Sequence, residues 1–121
     1  MSSTPPGQAW ENALPEAARK ALAAVLDPAE SVEFVAPAVG SSLVLTQRRL
    51  IVVRDGANFR PKTGVRPFEL VPGLSIRVGP NRRRVVIESE AGTINVFIRS
   101  EQLAQADAFV AEVRRRIYLD G

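Results

Sequence analysis

Residues 43–56, LVLTQRRLIVVRDG, constrain the fold more than any other segment of this chain. Two apolar runs, 43–46 and 50–53, flank the polar tripeptide Gln47-Arg48-Arg49, and Asp55-Gly56 follows the second run. Runs rich in β-branched residues and bounded by polar turn residues are typical of antiparallel strands joined by a tight turn. The segment therefore predicts a β-hairpin in the middle of the chain.

Other segments on both sides of this hairpin show the same pattern. Together they give seven predicted strands, near residues 31–36, 42–46, 49–54, 66–71, 74–78, 83–89 and 92–98. Turn-forming pairs such as Pro72-Gly73 and Ala91-Gly92 separate them, and no helix-length segment interrupts them. Strands joined by such short turns pair antiparallel, so the fold class is predicted to be mainly β rather than a series of βαβ units.

A helix is predicted at each end of this strand region. Apolar residues recur at helical spacing from about 13 to 26, where Pro15 fits the first turn and Asp27-Pro28 ends the helix. A second helix is predicted to begin at Ser100, which is a suitable N-cap. Its apolar stripe consists of Leu103, Ala106, Val110, Val113 and Ile117. The stripe must pack against a large apolar surface, and the sheet is the one available.

Composition limits the chemistry that this chain can perform. With 121 residues the chain is long enough for one core, so we expect a flexible segment at 1–12 and a single domain at 13–121. The chain has no cysteine and no histidine, which excludes thiolate chemistry and removes the most common acid–base group. Its carboxylates show no paired spacing and its glycines no phosphate-binding pattern. We therefore expect no enzyme activity, no cofactor and no metal site.

Two features of the sequence favour the cytoplasm as the compartment. The N-terminal residues lack the basic and apolar regions of a signal peptide. No apolar run approaches the roughly 18 residues that are needed to span a bilayer. We expect a cytoplasmic protein, either free or peripheral to the inner face of the membrane.

Positive charge is concentrated in the middle of the chain, although the net charge is only +3. No basic residue lies between Lys20 and Arg48, whereas residues 48–84 carry ten Lys and Arg residues against Asp55 and Glu69. A cationic stretch of this kind favours an anionic partner.

Two segments of this cationic stretch contain the candidate ligand-binding residues. In the connection 55–66, an aromatic residue lies among cations that can hold phosphates or, alternatively, only keep the loop solvated. After the turn Gly79-Pro80-Asn81, three arginines together with Arg77 can bind phosphate or carboxylate, or only protect an exposed strand from aggregation. The candidate residues are Phe59, Arg60, Lys62, Arg66, Arg77, Arg82, Arg83 and Arg84. A further run, Arg114-Arg115-Arg116, is expected to be a solvated helix end.

The order of elements and several short motifs resemble a known family. A helix, seven antiparallel strands and a closing amphipathic helix is the order of the pleckstrin-homology (PH) superfold, with an extra leading helix. LVLTQRRLIVV at 43–53 is similar to the second hairpin of the YokE-like bacterial PH domains and of the related GRAM domains. Residues 26–32, LDPAESV, look like the lead into their first strand, and 68–70 and 74–76 resemble their middle strands.

This resemblance implies a partly open barrel of two roughly orthogonal sheets, with the C-terminal helix plugging one end. It also implies a binding or scaffolding role without catalysis. PH domains that bind phosphoinositides carry a basic motif across the first hairpin, whereas residues 32–45 here contain no basic residue. Classical phosphoinositide recognition is therefore not expected.

Three functions remain after these exclusions. We expect an interaction module that works through protein–protein contacts or self-assembly. The first alternative is weak peripheral binding to anionic membrane lipid through the central Arg/Lys cluster. Nucleic-acid binding is the second and less favoured alternative, because only 6% of the residues are aromatic and few bases could stack on them.

Overall fold

Seven strands and two helices make up the part of the chain that the structure describes. The computed structural model describes residues 14–54 and 64–120. Helix α1 spans Glu16–Ala23, and the strands are β1 (Val32–Pro37), β2 (Ser41–Thr46), β3 (Arg49–Arg54), β4 (Val65–Glu69), β5 (Ser75–Val78), β6 (Arg84–Ser89) and β7 (Gly92–Phe97). A 3₁₀ turn at Ser100–Gln102 leads into helix α2, Leu103–Asp120. The predicted flexible segment 1–12 lies outside the described residues.

The strands form two antiparallel sheets. One has the order β1-β2-β3-β4 and the other the order β5-β6-β7. No backbone ladder joins the two sheets within the described ranges, so they do not close into a continuous barrel. The expected fold class is confirmed: a mainly β, partly open PH-like arrangement with a helix on each side. The N-terminal helix is shorter than predicted and starts directly after Pro15.

The main core lies between the two sheets and α2. Leu43 and Leu45 of β2 pack there with Val85 and Ile87 of β6, and all four side chains are fully buried. Phe109 of α2 is also fully buried, and its ring meets that of Phe34 edge-on, with centroids 5.8 Å apart. An aromatic pair in this geometry stabilises a core beyond its buried area.

Helix α1 covers the other face of the four-stranded sheet. Ala18 and Leu22 pack on Val44, Ile51 and Val53, whose side chains point away from the main core. The strands β2 and β3 are therefore buried on both faces. This explains why their sequences are continuous apolar runs rather than alternating ones.

Polar side chains of α2 bind one edge strand of each sheet. Gln105 Nε2 donates to the carbonyl oxygen of Val35 in β1 at 2.7 Å, and Arg114 Nε donates to that of Ile76 in β5 at 2.9 Å. Because these carbonyl groups lie on sheet edges, the helix satisfies them and covers the edges at the same time.

Arg114 and Arg116 of α2 bind other elements, so the prediction of a solvated helix end is wrong for them, whereas Arg115 is 57% exposed and pairs with Glu112 of the same helix. Arg116 Nη1 donates to the carbonyl oxygen of Thr46 at 3.1 Å and forms an ion pair with Glu33. Its Nε also pairs with Glu112 at 3.1 Å, and only 18% of the Arg116 side chain is exposed. Hydrogen bonds from Arg115 and Arg116 lower the pKa of Glu112 to about 2.

A buried ion pair ties the segment before β1 to the turn between β2 and β3. Glu30 Oε2 accepts hydrogen bonds from Thr46 Oγ1 at 2.6 Å and from Arg49 Nε at 2.9 Å. Its Oε1 accepts from Arg49 Nη2 at 2.6 Å, and the same nitrogen donates to the carbonyl oxygen of Val25 at 2.9 Å. The bond from Arg49 is the main reason why the pKa of Glu30 falls from 4.5 to about 2.

The rest of the predicted polar turn binds the same segment. Gln47 Oε1 accepts from the Ser31 amide at 2.8 Å, and its Nε2 donates to the Ala29 carbonyl oxygen at 2.8 Å. Arg48 forms an ion pair with Asp27. All three side chains of Gln47-Arg48-Arg49 therefore bind the segment that precedes β1.

We expect Glu30→Gln to lower the free energy of unfolding at pH 7 by about 3 kcal/mol. The pKa of Glu30 is about 2 in the folded state, whereas its ordinary value is 4.5. Each pKa unit between these values corresponds to about 1.36 kcal/mol of stability. Because the folded-state pKa is the lower one, this contribution is complete above about pH 5 and is lost as the pH falls towards 2. Urea unfolding at several pH values measures it.

Glu16→Gln is the matched control for Glu30→Gln, because Glu16 forms an exposed pair with Lys20 and 69% of its side chain is accessible. We expect that change to cost less than about 0.5 kcal/mol. Equal losses in the two variants, or a Glu30→Gln protein that loses stability in acid as steeply as the parent, would contradict a stabilising role for the buried pair.

Candidate functional site

The arginines of the described residues fall into two groups. Most are held by a carboxylate or carbonyl oxygen, as Arg49, Arg77, Arg114 and Arg116 are. Five exposed arginines form neither an ion pair nor a side-chain hydrogen bond with the described part of the chain, and we call them the arginine end: Arg54, Arg66, Arg83, Arg84 and Arg99.

Strand pairing brings this second group together around the loop between β1 and β2. Arg54 closes β3 opposite Ser41, which opens β2. Val39 in the loop donates its amide proton to the carbonyl oxygen of Phe97 at 2.8 Å, and Phe97 lies opposite Arg84. Arginines that are 30 residues apart in sequence therefore border the same loop.

The remaining three arginines extend this surface on both sides. The carbonyl oxygen of Arg83 accepts a hydrogen bond from the amide of Ile98 at 2.8 Å, and Arg99 follows Ile98 directly. Arg66 lies on β4 opposite Val52, next to the end of β3. The arginine end is thus built by residues of both sheets and by the start of the connection to α2.

An exposed aromatic ring lies within this surface. Phe97 is 59% exposed, whereas Ile94 and Val96 on the same strand and Ile98 directly after it are buried. Because successive side chains of a strand point to opposite faces, Phe97 faces outward beside Arg84. Aromatic and arginine side chains together are typical of the central part of protein interfaces.

A shallow pocket of about 420 Å³ lies beside Ile98 and Arg99, between the β5–β6 turn and the start of α2. Arg83 and Arg99 line it together with Arg82, whose Nη2 lies 3.3 Å from Asp107 Oδ2 on α2. Arg82 has a φ of 57°, a left-handed conformation that is unfavourable for a residue with a side chain. The turn and the helix together fix this side of the pocket.

The structure places the sequence-predicted site residues in different surroundings. Outside the described residues lie Phe59, Arg60 and Lys62. Three others belong to the arginine end: Arg66, Arg83 and Arg84. Arg82 borders it, but its charge is matched by Asp107. Arg77 was expected to join these residues, but it does not, because its Nη1 pairs with Glu88 at 2.8 Å.

Sequence reasoning missed three members of this surface: Arg54, Phe97 and Arg99. The alternation of Ile94, Val96 and Ile98 was sufficient to place Phe97 on the outer face. Nothing in the local sequence brings Arg54 to the same loop, because that depends on the pairing of β2 with β3.

The buried cluster around Glu30 does not offer a catalytic group. Its carboxylate oxygens are occupied by Thr46 and Arg49, and its pKa of about 2 keeps it ionised at neutral pH. All buried side-chain nitrogen and oxygen atoms of the described residues have a hydrogen-bond partner. This cluster therefore stabilises the fold, whereas the arginine end carries unmatched charge on the surface.

Substitutions should separate the two groups of arginines by their effect on stability. We expect Arg99→Gln to change the free energy of unfolding by less than about 0.5 kcal/mol, because its side chain has no partner in the described structure. Arg49→Gln should cost about 3 kcal/mol, because it leaves Glu30 buried without its counter-charge. Urea unfolding at pH 7 measures both, and a loss above about 1 kcal/mol for Arg99→Gln would show that this residue is structural.

No helix within residues 14–54 and 64–120 is long and apolar enough to cross a membrane. Comparison of the chain with protein-family models, with curated proteins and with solved structures gave no match.

Proposed function

We propose that this domain is a non-catalytic, PH-like interaction module that binds an acidic surface of a protein partner through its arginine end. One observation carries the proposal. Five exposed arginines that form no ion pair in the described chain lie at or beside the loop between β1 and β2, whereas the other described cations have a partner.

Unmatched charges of the same sign are unfavourable in the free domain, and an acidic partner removes that repulsion. Arginine suits this task because its planar guanidinium group binds a carboxylate through two parallel hydrogen bonds. An exposed ion pair contributes about 0.2–1 kcal/mol, so five of them give roughly 1–5 kcal/mol. Binding is therefore expected to be weak and to decrease as salt screens the charges.

The exposed ring of Phe97 favours a protein partner over a purely electrostatic contact. Burying an aromatic side chain supplies apolar area at the centre of the charged surface, where interface hot spots are found. Arg84 lies directly across the ladder from Phe97, so both residues contact one partner at the same time. The proposal predicts an acidic partner surface that also carries an apolar site.

The second candidate function is peripheral binding to anionic membrane lipid. Phe97 is the observation that favours it, since an aromatic ring among cations is suited to a membrane interface, where each nearby cation contributes about 1 kcal/mol. The cytoplasmic location, or a location at the inner membrane face, stays a prediction. Nucleic acid is less favoured, because the exposed aromatic residues of the described chain, Phe97 and Tyr118, lie on different elements.

We also propose that the chain is related to the YokE-like bacterial PH domains and the GRAM domains. The order of the described helices and strands supports this relation. The motif residues support it as well, since Glu30 of the lead segment bonds with Thr46 and Arg49 of the hairpin.

A binding assay with the full chain tests the proposed function. We expect a fluorescent Glu-rich peptide to bind at low ionic strength and to lose affinity as salt is raised to about 0.5 M. Arg84→Gln combined with Arg99→Gln should weaken binding at least about fivefold, which corresponds to about 1 kcal/mol. The matched control is Lys20→Gln with Arg77→Gln, which removes the same charge elsewhere and should change affinity less than about twofold.

Anionic phosphatidylserine vesicles are the second probe in the same assay. If the vesicles bind and the peptide does not, the membrane candidate replaces the protein partner. An equal loss of affinity in the control would contradict a localised site, and no binding of either probe would contradict both functions.

A further inference from the structure

A second concave surface lies at the far end of strand β6 from the arginine end. Strand β6 starts at Arg84 and ends at Ser89, and the turns that follow β4 and β6 form an open groove of about 490 Å³ there. Phe68 and Leu74 form its apolar base, and Val71 at its rim is 44% exposed. We call this surface the acidic groove, because Glu69 and Glu90 line it.

Two carboxylates of this groove form no ion pair with the described residues. Glu69 and Glu90 line it, and neither forms an ion pair or a side-chain hydrogen bond with the described residues. Glu88 nearby is already bound to Arg77. Arg84 and Ser89 are the two ends of β6, five residues apart along an extended strand, so their backbones are about 17 Å apart, and Glu90 follows Ser89 directly. The domain therefore has an unmatched positive surface and an unmatched negative surface at opposite ends of one strand.

We propose that the acidic groove is the docking site for the arginine end of a second copy, so that copies of this chain associate head to tail. This inference rests on the proposed function, because it identifies the acidic protein surface as one that this chain itself carries. The partner's chemistry is on the same molecule: cations with an aromatic ring at one end, and carboxylates around an apolar base at the other.

The groove is open enough to take an inserted side chain. Apart from Gly73 and its two chain neighbours, no described residue has an atom within 4 Å of the position that a Cβ at Gly73 would occupy, and the backbone there is not left-handed. An aromatic ring such as that of Phe97 can therefore contact Val71 and Leu74 while arginines on either side of it approach the two carboxylates. Opposite charges on the rim would set the orientation of the two copies.

Two consequences follow from the contact being between different surfaces. Each copy keeps one free arginine end and one free acidic groove, so the association is heterologous and extends into open chains or closed rings. A contact built on one groove is smaller than the roughly 800 Å² per partner of a stable interface, so association should be weak and sensitive to salt.

Complementation between two variants of the full chain tests this inference. In the first variant, Arg84→Gln and Arg99→Gln remove charge from the arginine end and leave the groove intact. In the second, Gly73→Trp fills the groove and Glu90→Gln removes a carboxylate. Each variant alone should remain monomeric in sedimentation velocity runs up to about 1 mM, whereas the parent chain forms larger species.

An equimolar mixture of the two variants should form a 1:1 dimer and stop there. Only the intact groove of the first variant and the intact arginine end of the second are available for a contact. The parent's larger species should disappear as salt is raised to about 0.5 M. Glu16→Gln, which removes a carboxylate outside the groove, is the matched control and should associate as the parent does.

The results separate this inference from the proposed function. A groove variant that no longer associates but still binds the Glu-rich peptide supports the groove as the docking site. If the parent stays monomeric at about 1 mM while binding the peptide, head-to-tail association is wrong and the proposed function stands. If the parent neither associates nor binds the peptide, the proposed function and the head-to-tail association are both wrong. If a groove variant associates like the parent, only the assignment of the acidic groove as the docking site is wrong.

Discussion

The ion pair between Glu30 and Arg49 fixes the part of the fold on which the remaining surfaces depend. It holds the chain before β1 against the turn between β2 and β3, and Thr46 in that turn bonds to Glu30 through its hydroxyl group. The carbonyl group of the same Thr46 accepts a hydrogen bond from Arg116, which places the end of α2. One turn thus sets the register of the hairpin, the entry of the chain and the position of the closing helix.

The two ends of this hairpin differ in how their charges are used. At the turn, cations are matched by carboxylates and carbonyl groups, and they contribute to stability. At the opposite end, where Arg54 meets the start of β2, guanidinium groups have no partner in the described chain. Charge that does not stabilise the fold is available for binding, which is why the arginine end is the functional candidate. In the acidic groove, the carboxylates of Glu69 and Glu90 likewise form no ion pair with the described residues.

The sequence was sufficient to predict the fold class but not the roles of the charges. The apolar runs of β2 and β3 predicted the strands correctly, because a strand covered on both faces needs no alternation. The helix at 103–120 followed from its apolar stripe. In contrast, Arg116 was wrongly predicted to be solvated. Its partner Thr46 lies 70 residues away in the sequence, so only the packing of α2 reveals the contact. The grouping of Arg54 with Arg84 likewise depends on strand pairing, which no local pattern encodes.

The most direct measurement of the central claim is an NMR titration of the isotope-labelled full chain with a Glu-rich peptide. We expect the amide resonances of Val39, residues 83–84 and residues 97–99 to shift together, while those of residues 16–23 and 47–49 stay in place. A binding surface confined to the arginine end would produce this pattern. Shifts centred on residues 47–49, or spread evenly over all basic residues of the chain, would contradict a localised docking surface.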